Sequence, residues 1–211
     1  MISRFLGEDE HDLAQTTLPV EAMLCNITSL TLRSTLLASH YQLNSGHMMP
    51  QLQLGLYMMS GREVLSSIPH ALEMGYRGFD SAQMYHNETE AGKAISSWLS
   101  KSGSEKQDGS SSGSPARPLT REDVFYTSKL ASNSDDYDAV RRSIAKSVKA
   151  CGLGYIDLFL LHSPYGGPKA RRESWRAVED AIRDGEVRSG GVSNYGVRHV
   201  SVLSLFAILF P

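Results

Sequence analysis

Short apolar runs at residues 53–57, 78–82, 124–128, 156–161 and 187–193, each closed off by turn-forming residues, alternate along this chain with stretches patterned as helices. A strand wetted on one face alternates apolar with polar residues. A short continuous apolar run instead suits a strand buried on both faces, as in a parallel sheet. The helical stretches fall at residues 63–76, 88–100, 138–151 and 173–184. In the third, Val140, Ile144, Val148 and Cys151 recur at helical spacing and make one apolar face. Strand and helix in regular succession predict parallel α/β packing, and right-handed crossovers carry such a sheet round toward a barrel. With 211 residues, 41% of them hydrophobic, the chain is long enough for one substantial core. The expected fold class is α/β of the (β/α)8 TIM-barrel type, incomplete, with about five of the eight strands present. A whole barrel takes about 250 residues, so the expectation is of a C-terminally truncated one.

Residues before about 29 show no clear pattern, and residues 1–40 read as a poorly determined N-terminal extension, with the partial barrel spanning residues 41–211. Within that region residues 102–118, SGSEKQDGSSSGSPARP, are rich in Ser, Gly and charge and lack periodicity. Such a segment buries too little apolar surface to offset its ordering entropy, so a disordered surface insertion is expected there. Residues 30–43, followed by the turn signal Asn44-Ser45-Gly46, read as a hairpin. Pro69 lies inside the first helical pattern, where it removes a hydrogen bond and should kink or shorten the helix. Trp175, Val178 and Ile182 form a core stripe, and Asp157 and Arg188 read as strand-edge charges.

A formal net charge of −2 leaves no electrostatic footprint for nucleic acid. The two cysteines, Cys25 and Cys151, make no disulfide framework and fit a reducing compartment. Glu8, Asp9, Glu10 and Asp12 argue against a secretory signal and against an acid-poor transit peptide. The longest apolar stretch, residues 202–211, is about half of the ~20 residues a membrane span needs. A soluble, cytoplasmic protein with no membrane partner is expected. His40, His47, His70 and His86 show no metal-ligand spacing, so no metal site is expected. Gly152 and Gly154 precede a strand, whereas a dinucleotide fingerprint follows one and opens a helix.

Four polar residues stand at successive strand ends: Asp80 and Tyr85 in GYRGFDSAQMYHNE, Lys129 in YTSKL and His162 in YIDLFLLHSP. Singly, each has an ordinary structural reading as a solvated charge, a half-buried aromatic or a core histidine. Together they are the parts needed to protonate a carbonyl oxygen. Tyr85 is the natural general acid. A phenol of ordinary pKa ~10 is a poor acid at neutral pH, and a cation beside it favours the phenolate left behind. Lys129 supplies that charge, Asp80 holds Lys129 protonated and oriented, and His162 donates a hydrogen bond to the substrate oxygen. No side chain supplies hydride, so the chemistry requires a nicotinamide cofactor.

These segments, with QLNSGHMMP, REDVFYTSKL and GEVRSGGVSNY, resemble the aldo-keto reductase family over about residues 41–199. The resemblance implies a barrel whose bottom is closed by the hairpin, with Asp80, Tyr85, Lys129 and His162 as its catalytic tetrad. It also implies NADPH-dependent reduction of a small-molecule aldehyde or ketone to the alcohol, NADP being preferred over NAD by family habit. Ser193 and Asn194 would bind the nicotinamide carboxamide, with Gly55, Leu56, Tyr57 and Asp80 lining the cofactor's place near the first strand's end. Ser193 and Asn194 also read as N-cap chemistry for the helix that follows. Two other readings compete. One is a non-catalytic barrel fragment acting as an interaction module through exposed sheet edges. The other is a relative of the potassium-channel β subunits, which share the fold.

Overall fold

The structure, a computed structural model, describes residues 37–104 and 118–204. A two-stranded hairpin comes first, β1 (His40–Gln42) and β2 (Met48–Pro50), paired antiparallel around a turn in which Gly46 takes φ 83°. Then β3 (Leu54–Gly55), β4 (Gly78–Asp80), β5 (Phe125–Leu130), β6 (Ile156–Leu161) and β7 (Val187–Val192) form one parallel sheet in sequence order. Between them run α1 (Gly61–Glu73), α2 (Glu88–Ser104), α3 (Tyr137–Cys151) and α4 (Gly167–Arg183), and α5 (Val197–Ser204) follows β7. All five expected strands are present, in an incomplete barrel of the expected class. Residues 1–36 and the core of the expected insertion, 105–117, lie outside the described residues.

Each strand is divided by its period of two. In β5, Tyr126 and Leu130 enter the core against the helices, while Ser128 meets Glu88 of α2 at 2.5 Å. The alternate residues Phe125, Thr127 and Lys129 face the other side. The main core lies between sheet and helical layer, where Phe79, Tyr126, Ile156 and Phe159 pack against Val64, Ile68, Leu72, Ile95 and Ile144. Helices α2 and α3 approach so closely that a Cβ on Gly92 would lie 1.6 Å from the carbonyl oxygen of Cys151.

Helix α1 runs through Pro69 and ends three residues before the expected Tyr76. A proline in a helix interior costs about 3 kcal/mol. A capping box between Ser60 and Glu63, together with burial of Val64, Ile68 and Leu72 at about 1.5–3 kcal/mol each, more than offsets that cost. Helix α2 extends past Ser100 into the expected insertion, with the Ser100 and Ser102 hydroxyls turned back onto the carbonyls of Ser96 and Leu99. Residues 102–104 are therefore helical. Helix α4 starts six residues before the expected 173, with Gly166 at φ 95° and Pro168 in the first turn, where its missing N–H costs nothing. Its apolar stripe is as expected, Trp175 and Val178 being buried and Ile182 packed against them.

The hairpin sits at the N-terminal ends of the strands, where Ser45 at its turn meets Ser189 of β7 at 2.7 Å. Here the strand-edge reading of Asp157 fails. Asp157 is buried and accepts from Arg121 Nη2 at 2.5 Å and from the Tyr126 amide at 2.9 Å. Arg121 also donates to the carbonyls of Leu153, Val124 and Tyr155, and the Arg121 and Arg188 guanidiniums lie 4.1 and 3.6 Å from the centroid of the Tyr155 ring. Burial pushes the Asp157 carboxyl above its usual range, and Arg121 opposes that push.

Two stability outcomes follow from this packing. Gly92→Ala should destabilise the fold by at least about 2 kcal/mol in urea melts, because the obstructing atom is backbone that cannot rotate away. Arg121→Met should cost up to about 3 kcal/mol by leaving the buried Asp157 carboxylate with the longer Arg188 pair at 3.9 Å as its remaining ion pair. Replacing Asp157 by Asn in that background should recover part of the loss.

Candidate active site

The sheet register brings the strand-end residues together. Asp80 is paired with Thr127, so Lys129, two residues further along β5, projects on the same side as Asp80. Lys129 is paired with Leu160, and the same step of two leads to His162 just beyond β6. Tyr85 comes from a different kind of element, a single 3-10 turn at Gln83–Tyr85 that follows β4 and is ended by His86 at φ 54°.

Lys129 is 5% exposed and spends all three ammonium protons on oxygens. It pairs with the Asp80 carboxylate, donates to the Ser81 carbonyl at 2.8 Å, and donates to the Tyr85 hydroxyl at 3.3 Å. Because the Tyr85 oxygen is an acceptor in this contact, its own proton is free to point elsewhere. Tyr85 packs against the Tyr57 ring at 5.0 Å between centroids and meets the His162 ring edge-on at 5.8 Å.

Burial, seconded by Lys129, holds the His162 pKa below its ordinary value, with Asp80 opposing. The imidazole is therefore neutral near pH 7. Its Nδ1 is enclosed with no hydrogen-bond partner among the described residues. A buried N–H without an acceptor is the costlier orphan, so the proton belongs on Nε2. His162, Tyr57, Tyr85, Met84, Tyr165 and Asn194 line one cleft of about 1120 Å³.

The residues expected to hold a cofactor divide. Asn194, at φ 62°, lines the cleft and donates from Nδ2 to the His162 carbonyl at 2.8 Å and to the Ser193 hydroxyl at 3.0 Å. These bonds leave its Oδ1 facing outward as an acceptor. Gly55 is exposed at the end of β3, and Tyr57 is an exposed wall of the cleft. The Leu56 side chain is fully buried in the core. Leu56 instead acts through its backbone, donating to the Asp80 carbonyl and accepting from Asn87.

Two residues that carry no chemistry in the sequence reading hold the Tyr85 turn in place. Asn87 is buried and bonds the carbonyls of Leu56 and Met59 while accepting from Ser81. Gln83 reaches the opposite way, to Ala131 and α3. Asn87 sits in the quoted motif, and a buried amide two residues after a polar turn is the signal that would have found it. Gln83 leaves no local signal, because its partners lie some 48 to 64 residues away.

Comparison with known proteins accords with this geometry. A model of the aldo/keto reductase family matches residues 51–207. An oxidoreductase of Schizosaccharomyces pombe is 44% identical over 168 residues, covering 80% of this chain and 54% of the relative. Methylglyoxal reductase DkgA of Escherichia coli K12 is 35% identical over 162 residues, covering 77% of this chain and 51% of the relative. The chain thus spans about half the length of these relatives. Among solved structures, a Bombyx mori aldo-keto reductase in complex with NADP superposes with a TM-score of 0.68 at 30% identity, covering 82% of this chain and 56% of that one. With the family pattern matched over most of its length and the barrel fold shared, this chain belongs to the aldo/keto reductase family.

Proposed function

We propose that the chain carries the proton-donating centre of an NADPH-dependent carbonyl reductase, which turns a small aldehyde or ketone into the alcohol. The observation that carries this reading is the three-way bonding of Lys129, which leaves the Tyr85 proton uncommitted beside an open cleft. A carbonyl oxygen in the cleft accepts that proton from Tyr85. The phenolate left behind is met at once by the Lys129 ammonium, already in contact with it. Asp80 pairs with Lys129 and aims it. His162, neutral and carrying its proton on Nε2, donates a second hydrogen bond to the same oxygen and limits its orientation.

Asn194 Oδ1 and the Ser193 hydroxyl suit a nicotinamide carboxamide, and Tyr57 offers an aromatic wall beside them. The nicotinamide, when bound, supplies the hydride. The NADP complex of the Bombyx mori relative and the name of the Escherichia coli one support NADPH and a small, reactive aldehyde such as methylglyoxal. No described helix is long and apolar enough to cross a membrane. That fits the cytoplasmic location we propose.

NADPH binding is read by fluorescence titration and turnover by NADPH oxidation with methylglyoxal. Both are measured on the 211-residue chain and on this chain continued by the C-terminal half of the Schizosaccharomyces pombe relative. Tyr85→Phe should lower turnover by about 100-fold or more while leaving NADPH affinity nearly unchanged, since only the transferable proton is lost. Undiminished turnover in the Phe variant would remove Tyr85 from this role.

His162 yields a pH prediction. Its folded pKa is lowered, so the unfolded chain takes up the proton first as pH falls. The stability that neutral His162 contributes should be present above about pH 6.5 and decline as pH falls through the lowered folded value. Nitrogen-15 spectra should show a neutral, Nε2-protonated ring at pH 7, and His162→Gln should remove this part of the pH dependence of unfolding. A ring protonated at Nδ1 at neutral pH would contradict the assignment.

A further inference from the structure

The Tyr85 hydroxyl must stay within reach of Lys129, yet the two residues come from elements of unequal rigidity. Lys129 belongs to β5, a fully buried strand in the middle of the sheet. Tyr85 is the last residue of a three-residue 3-10 turn, an element with poor hydrogen-bond geometry of its own. That turn has no side-chain cap, and its following residue, His86, takes the left-handed conformation. Something outside the turn must fix its distance from β5.

The side chain of Gln83, the first residue of the turn, spans that gap. Its Oε1 accepts from the backbone amide of Ala131 at 2.8 Å, two residues beyond Lys129 on the same chain segment. A backbone N–H can meet only the oxygen of a carboxamide, so this bond also fixes which way the amide faces. Nε2 is then directed at α3, with the Ser147 hydroxyl at 2.9 Å, the Ser143 hydroxyl at 3.0 Å and the Ser143 carbonyl at 3.1 Å. Ser147, accepting from Gln83, passes its own proton to Glu88 Oε2 at 3.2 Å, and Ser128 of β5 donates to Glu88 Oε1. The chain of bonds therefore leaves the Tyr85 turn, crosses α3 and the start of α2, and returns to β5 at the residue before Lys129. A closed loop of this kind fixes both ends of the Tyr85–Lys129 contact to each other. Asn87 ties the other side of the turn to the β3 loop and reaches β5 only by way of Ser81, whereas Gln83 bonds the segment just beyond Lys129 directly.

We infer that Gln83 is the positioning residue that holds the Tyr85 hydroxyl within hydrogen-bonding distance of Lys129 Nζ. It touches neither substrate nor cofactor and acts through Tyr85. The inference rests on the reading of Tyr85 and Lys129 as the proton-donating pair.

The test compares Gln83→Met, which keeps the bulk without the hydrogen bonds, Gln83→Asn, which is one methylene too short to span the gap, and Gln83→Glu, which keeps the acceptor for the Ala131 amide. Two readouts are taken: the nuclear Overhauser contact between the Tyr85 ring and the Lys129 side chain in the 211-residue chain, and NADPH oxidation in the assay given above. The Met and Asn variants should lose the contact and at least about tenfold in turnover, within the ~10²-fold that misplacing a reacting group by about 1 Å costs, with NADPH affinity unmoved. The Glu variant should restore most of both. A folded Met or Asn variant that keeps the contact and the turnover overturns the inference. So does unfolding of both while the Glu variant folds, since that is a purely structural role. If the parent protein shows no turnover, the reductase reading fails and the ring contact alone decides the role of Gln83. If Tyr85→Phe abolishes turnover while the Gln83 variants do not, the reductase reading stands and the positioning role falls.

Discussion

An ammonium buried to the depth of Lys129 is tolerable only when each of its protons has an oxygen to meet, and the geometry of the cleft follows from which oxygens those are. One is a carboxylate, which supplies the compensating charge. One is a main-chain carbonyl, that of Ser81, fixed by the strand that carries Asp80. The third is the Tyr85 phenol, the sole partner of the three with a proton of its own to give away. A lysine satisfied by one carboxylate and two carbonyls would be as well paired and chemically silent.

The parallel sheet does most of the aiming. Asp80, Lys129 and His162 come to one side because register and a period of two leave them no other place. That precision costs no extra interactions, since the ladder bonds that set it are those that hold the core. Tyr85 lies outside this logic. Its hydroxyl has to reach over the strand ends from a turn, and the fold meets the demand with two side-chain amides pulling in different directions, Asn87 toward β3 and Gln83 toward β5 and α3.

The same physics explains what was legible in the sequence. Strands buried on both faces leave continuous apolar runs, and Asp80, Lys129 and His162 interrupt or end those runs, so strand order and strand-end chemistry both show in one dimension. Helix α4 began earlier than its apolar stripe because Pro168 and the charged turn after it carry no periodicity, although they suit a helix start. Leu56 was expected near the cofactor from the resemblance; its side chain belongs to the core, and its backbone bonds Asp80 and Asn87 at the end of β3. Asp157 read as an edge charge because nothing local announces Arg121, 36 residues away. The N-terminal segment and residues 105–117 lie outside the described residues and add nothing to this comparison.

The contrast between the two ends of the sheet shows what separates a supporting charge from a working one. At the N-terminal ends Arg121 spreads its donors over three carbonyls and Asp157, and Asp157 takes the Tyr126 amide as well. The charges there are answered by protein, although the buried Tyr155 hydroxyl has no hydrogen-bond partner among the described residues. At the C-terminal ends Lys129 is buried and paired with the partly exposed Asp80, and hydrogen-bonding capacity is left around one cleft on Tyr85, His162, Asn133 and Asn194. In the proposed reading, Tyr85 and His162 donate to a single carbonyl oxygen that gains negative charge, and Asn194 meets an amide. Hydrogen-bonding capacity left over beside a saturated cation and around an open cleft, rather than burial or charge alone, is the feature on which the proposed chemistry at this end rests.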